Sequence, residues 1–253
     1  LEGGKILILL HTLSSFDKRE EEEEMQDLLE VINVSKTFKA KAGEVTAVDN
    51  VSLLARKGEV TVIVGPSGSG KTTLLYLIGS LERPDTGEIN VFGENICRAD
   101  ADLIRYRRKR VGFVFQMFNL IAALTALENV TLPMDLDGVP PMEQRKRAVE
   151  LLARVGIDER LQGARANRMS GGEKQRVAIA RALSNNPDVI LADEPTGNLD
   201  TATGRTVVEI LARLAREDGK CVVIVTHDHS ILEVADWAYH MKDGKLKGVD
   251  IGG

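Results

Sequence analysis

The chain has 253 residues, 43% of them hydrophobic, enough to bury one substantial core with a smaller subdomain attached. No apolar run approaches the ~20 residues that span a bilayer. The short run Ile6–Leu10 leads into acidic residues rather than a small-residue cleavage site, so neither a membrane span nor a secretory leader is expected. The formal charge of −5 is concentrated in residues 1–30, where nine acidic side chains outnumber three basic ones. The nearly neutral remainder offers no bulk electrostatic grip on nucleic acid, and no nucleic-acid partner is expected.

In chain order, Glu20–Glu24 reads as a solvated, disordered run, and Met25 followed by "QDLLEVINVSKTF" as a sensible native start. Residues 1–24 are therefore expected to be a leader or extension, and residues 25–253 a single domain. Leu28–Val34, Val45–Ala55 and Glu88–Phe92 are predicted strands, alternating or apolar between Gly-containing and charged turns. Val60–Val64 is a continuous β-branched run ended by Gly65, the pattern of a strand buried on both faces. A helix is predicted from Thr72 to about Ser80, a second over Asp100–Lys109, and then the apolar strand "VGFVF". Residues 125–165 are rich in helix, punctuated by Pro133, Pro140 and Pro141, and read as a separate helical lobe. A helix after Gly172 follows, then buried strands Val189–Ala192 and Cys221–Val225 flanking a helix Thr203–Arg216. Strands alternating with helices predict an α/β fold with a mostly parallel sheet and helices on both faces. Cys97 and Cys221 are isolated and far apart, which fits a reducing compartment and neither a disulfide framework nor a zinc site.

Three segments carry chemistry. "GPSGSGKTT" (Gly65, Pro66, Ser67, Gly68, Ser69, Gly70, Lys71, Thr72, Thr73) matches G-x-x-x-x-G-K-[ST] between a buried strand and a helix, the context that makes the motif a nucleotide site. Backbone amides of Ser67–Lys71 suit a β-phosphate, Lys71 the β/γ oxygens, and the Thr72 hydroxyl a Mg²⁺ ion. "VILADEP" ends an apolar strand on two carboxylates, costly to bury without a cation or a water to activate. Asp193 suits the metal's water shell and Glu194 the attacking water. "VTHDH" closes the next strand; His227 suits a γ-phosphate contact and His229 plain surface. Gln116 is either a sensor at the metal site or a polar strand end, and Phe38 either a base-stacking ring or core. Finally, Ser170 and Glu173 form an S-x-x-E capping box around Gly171 and Gly172, whose side-chain-free turn at a helix N-terminus reads as a second anion site.

The P-loop, Gln116, "MSGGEKQ", "ILADEPTGNLD" and "VTHD", in that order, resemble the nucleotide-binding subunit of an ABC transporter over about residues 28–248. "FVFQMFNLIAALTALENVTLPM" and "ADEPTGNLD" look most like the branch serving lipoprotein release and macrolide export. The resemblance implies a P-loop NTPase cassette: a RecA-like mostly parallel core, a small antiparallel β-subdomain and a helical subdomain at about residues 117–170 that meets a permease. It implies ATP and Mg²⁺ as cofactors, hydrolysis coupled to transport, and a site on the cytoplasmic face of the inner membrane. It also implies Phe38 as the adenine-stacking aromatic, Gln116 as the Q-loop contact, and Asp200 at a dimer interface. Ser170, Gly171, Gly172 and Glu173 would then contact ATP in trans, in a head-to-tail dimer closed around two nucleotides. Three positions depart from the commonest family pattern. Met169 and Glu173 flank the Ser-Gly-Gly triplet where Leu and Gln are commoner, and Phe38 replaces a tyrosine while keeping its π-face. The competing reading is a soluble ABC-type ATPase acting on DNA or ribosomes. Only "RYRRKR", Arg105–Arg110, favours it, and a solvated helix face explains that cluster more simply.

Overall fold

The computed structural model describes residues 28–40 and 43–249, so the expectation for residues 1–24 lies outside the described residues. Two sheets organise the chain. The first is antiparallel, in the order β2 (Gly43–Arg56), β1 (Leu28–Ala40), β4 (Thr86–Val91), β5 (Glu94–Asn95). The second runs β10 (Lys245–Val249), β9 (Trp237–Lys242), β3 (Val60–Val64), β8 (Cys221–Thr226), β7 (Val189–Asp193), β6 (Val111–Val114), parallel throughout except for β10.

β3, β7 and β8 are buried at every position. Their alternate side chains enter two different cores, as the period of two requires. Val60, Val62, Ile190, Ala192, Val222 and Ile224 join the core under α6 (Gly171–Ala182) and α7 (Thr201–Arg216). Ile63, Leu191, Val223 and Val225 pack instead with α1 (Lys71–Ile78) and the antiparallel sheet. The parallel strands are thus clamped between helices on one side and a helix plus a second sheet on the other, and their C-terminal ends carry Gly65, Glu194 and His227 to one edge.

Several elements differ from the sequence reading. β1 and β2 run well past the expected Val34 and start before Val45. Their register shifts between Val31 and Thr37, with Asn33 and Asn50 in left-handed backbone, so bulges break the alternation that marks a strand. β9 and β10 were not expected. They form a hairpin whose Asp243-Gly244 turn has φ +49° and +77°, the residue pair that suits such a turn. β6 stops at Val114, leaving Gln116 in the following loop. α7 starts at Thr201, two residues early, because Asp200 caps it.

After α2 (Leu103–Lys109) and β6, helices α3 (Ala126–Asp135) and α4 (Pro141–Arg154) pack against α6, and the short α5 (Glu159–Gln162) packs against α3 and α4. Pro133 lies inside α3, while Pro141 opens α4 at a first-turn position, where a missing N–H costs nothing. Thr125 and Glu128 close α3 with a reciprocal capping box. Arg105, Arg108 and Lys109 of the basic cluster are exposed, as a solvated face requires, and four of its cations also make ordered contacts. Arg107 donates to the Ser80 carbonyl, Arg108 to the Leu136 carbonyl, Lys109 pairs with Asp137 and Arg110 with Asp188. Arg108 and Lys109 tie the C-terminal end of α3 to α2, and Arg110 ties the start of β6 to the residue before β7. No helix among the described residues is long and apolar enough to cross a membrane.

Candidate functional site

The loop after β3 enters α1 through Gly70, in left-handed backbone at φ +104° and with no side chain capping the helix. A Cβ at Gly70 would lie 2.0 Å from the Ala47 carbonyl oxygen, so β2 of the antiparallel sheet presses directly on this turn. Lys71, 5% exposed, folds back and donates from Nζ to the carbonyls of Gly65 (2.8 Å) and Pro66 (2.9 Å). Burial lowers its pKa, and the carboxylates of Glu194 and Asp193 oppose that shift. Thr72 donates to Asp193 Oδ1 at 2.9 Å across 121 residues of chain. Asp193 is itself buried, which raises its pKa; the bond from Thr72 acts the other way and the charge of Glu194 reinforces the rise. A threonine hydroxyl beside a buried, electrostatically strained carboxylate is a donor set suited to a hard cation such as Mg²⁺.

Glu194 follows β7 with φ +46°, a conformation costing about 1–3 kcal/mol in a residue with a side chain and kept only where surroundings over-determine it. The surroundings do so. Its N–H donates to the Val225 carbonyl (2.9 Å), and its Oε2 accepts from the Thr226 hydroxyl (3.0 Å) and the His227 N–H (3.2 Å). His227 Nδ1 lies 2.9 Å from the same Oε2, and Lys71 Nζ lies 4.0 Å from Oε1. One carboxylate, 14% exposed, thereby spans a buried ammonium and an imidazole that is 62% exposed. His229 starts a short 3₁₀ segment and is exposed. A carboxylate fixed by three donors with one edge toward solvent can hold and polarise a water.

The other candidates make contacts of their own, apart from this bridge's hydrogen bonds. The Gln116 carbonyl accepts from Asn198 Nδ2 at 2.9 Å, and its amide lies against Gly197. Phe38 sits near the end of β1, 37% exposed, with Lys36 Nζ 5.4 Å from its ring centroid, leaving aromatic surface open to stacking. At the start of α6, the Ser170 N–H donates to Glu173 Oε2 (2.8 Å) and the Glu173 N–H to Ser170 Oγ (3.3 Å). Gly172 has a packing reason that the sequence did not reveal: a Cβ there would lie 2.2 Å from Thr203 Cγ2, so α6 and α7 touch backbone to side chain. Asp200 caps α7, accepting from the Thr203 N–H (3.0 Å) and hydroxyl (2.6 Å), bonds that hold its carboxyl below the usual range. Among the described residues no hydrogen bond or ion pair links Ser170–Glu173 to the Gly65–Thr73 loop of the same chain.

A phosphate-type loop, a strand ending in Asp193-Glu194 and an ordered helix start at Ser170 meet a family model described as ABC transporter, which matches residues 48–197. The chain belongs to the ABC transporter family. It is 44% identical to the lipoprotein-releasing system ATP-binding protein LolD of Bacteroides fragilis, over 87% of this chain and 100% of that one. It is likewise 44% identical to the macrolide export ATP-binding/permease protein MacB of Chlorobaculum tepidum, over 86% of this chain but 33% of that longer protein. Among solved structures, it resembles the dimeric cassette MJ0796 of Methanocaldococcus jannaschii at a TM-score of 0.82 and 44% identity, covering 89% of this chain and 99% of that one. A second structure of MJ0796 captures a post-hydrolysis state bound to ADP and Pi. The chain is an ATP-binding cassette, and it is an ATPase.

Three residues of this cassette's site escaped the sequence reading. Thr226 bonds the Glu194 carboxylate, Asn198 pins the Gln116 carbonyl, and Gln175 donates to the Pro195 carbonyl. All three sit inside segments already singled out, but nothing in spacing marks a partner 32, 82 or 20 residues away.

Proposed function

We propose that this cassette is the ATP-hydrolysing subunit of a membrane exporter, acting as a dimer of two copies around two ATP molecules. The observation that carries the reading is the Glu194 carboxylate, held between Lys71 and His227 and adjacent to the Thr72–Asp193 pair. In this reading the amides of Ser67–Lys71 and the Lys71 ammonium take the β- and γ-phosphates, Phe38 stacks on adenine, and Glu194 accepts the proton of the attacking water. His227 orients that water or the γ-phosphate from the exposed side. Thr72, Asp193 and Gln116 would hold Mg²⁺, which would supply positive charge to neutralise the phosphate oxygens. Ser170, Gly171, Gly172 and Glu173 face the nucleotide bound by the other copy, which accounts for their lack of any link to the loop of their own chain. Asp200 lies at the interface between copies. The helical lobe, residues 117–170, reports closure and opening to a permease, so the cassette works peripherally on the cytoplasmic face of the cell membrane. LolD and MacB, named for lipoprotein release and macrolide export, support export as the direction.

Glu194→Gln tests the reading. It is expected to bind ATP with near-normal affinity, lose at least about 100-fold in turnover, and accumulate an ATP-dependent dimer in light scattering. Turnover close to normal refutes the role given to Glu194. Inactive protein that stays monomeric with ATP refutes the dimer.

A further inference from the structure

Gln175 sits on the second turn of α6 with none of its surface exposed. Its Nε2 donates to the Pro195 carbonyl at 2.7 Å, while its own Oε1 is buried without a partner. A buried amide that leaves one acceptor unpaired is a poor choice for packing alone, where an unbranched apolar side chain of the same length avoids that penalty. Pro195 directly follows Glu194, the residue held at φ +46°. The other bonds that fix Glu194 come from its sheet neighbours Val225, Thr226 and His227 and from the Gly197 N–H of its own turn. Gln175 reaches in from α6. The same helix touches the next part of this segment, with Gly171 against Leu199 and Gly172 against Thr203.

We infer that Gln175 is a positioning residue for ATP hydrolysis: by holding the Pro195 carbonyl it keeps Glu194 in the left-handed backbone that aims its carboxylate at Lys71 and His227. The placement of α6 and the placement of the water-activating carboxylate then cannot change independently. This rests on the reading of Glu194 as the activating base.

Gln175→Met removes the donor and the unpaired acceptor together while conserving length. Its kcat at saturating ATP is expected to fall about 10- to 100-fold, with the KM for ATP and the melting temperature close to normal. Gln175→Glu supplies a signature that loss of packing does not. A buried carboxylate cannot donate to Pro195, but burial raises its pKa and the protonated acid can donate. Its kcat relative to the unaltered protein is therefore expected to rise as pH falls from about 8.5 to 6. Full kcat in Gln175→Met alongside an inactive Glu194→Gln overturns the inference and leaves the role of Glu194 standing. A turnover-competent Glu194→Gln overturns both. If Gln175→Met does not fold, the Gln175→Glu ratio decides, and a ratio flat with pH overturns the inference.

Discussion

Two helices in this cassette have glycine at their entry, Gly70 before α1 and Gly171-Gly172 opening α6, and they begin differently. α1 is entered through Gly70 with no side-chain cap, its first residue Lys71 turned back onto the carbonyls of the preceding loop. α6 is entered through Ser170 with both halves of a capping box closed by Glu173. Gly70 is demanded by backbone conformation and by the Ala47 carbonyl; Gly172 adopts ordinary helical backbone and is demanded by Thr203. Glycine at a helix start is therefore not one signal. At α1 it leaves donors for a ligand, whereas at α6 part of the need is internal packing, and the Ser170 and Glu173 N–H groups already have acceptors in their own chain.

The largest expected effect lies at α1. Gly70→Ala places a Cβ at φ +104° against a carbonyl oxygen and is expected to cost about 2–3 kcal/mol in urea unfolding, with loss of ATP binding. Normal stability would mean that the two glycines do not differ in kind. Gly172→Ala is expected to cost about 1–3 kcal/mol by overpacking. Gly172→Ala combined with Thr203→Ser, which removes Cγ2 and keeps the hydroxyl on Asp200, should recover most of that loss in a double-mutant cycle. If Gly172 served only a bare anion site, the single variant would lose activity and keep its stability.

Ser170→Ala should cost about 1 kcal/mol through the lost cap, seen as faster hydrogen exchange at the Glu173 amide; unchanged exchange would count against the capping box. The smallest effects are two of opposite sign. The folded pKa of Asp193 is raised, chiefly by burial, so its stabilising contribution is present at low pH and lost as pH rises through that folded value. Asp193→Asn, which keeps an acceptor for Thr72, should raise the melting temperature at pH 8, with the gain shrinking as pH falls. The folded pKa of Asp200 is lowered by its bonds to Thr203, so its contribution is present above the unfolded pKa and lost as pH falls through the folded one. Asp200→Asn should lower the melting temperature at pH 8. The same sign for both would erase the contrast between a strained and a satisfied carboxylate.

The sequence alone determined what lies within one continuous stretch. A β-branched strand, a Gly-rich loop and a lysine-bearing helix are contiguous, so Gly65–Thr73 was legible from period and motif. The two carboxylates ending β7 and the box at Ser170–Glu173 were legible for the same reason. Only the tertiary structure decided what those residues touch. The alternation of β1 failed as a guide because bulges reset its phase, and the hairpin of β9 and β10 was missed although Asp243-Gly244 carried its turn. The partners of Arg107, Arg108, Lys109 and Arg110 were not legible because their acceptors, from Ser80 to Asp188, lie elsewhere in the chain. His227 and Thr226 reach Glu194 only because β7 and β8 are parallel neighbours, and Gln175 reaches Pro195 only because α6 packs close to the turn that follows β7. Local patterns follow from short-range sterics and hydrogen bonds, whereas the identity of a buried partner depends on which distant segments the two cores bring together.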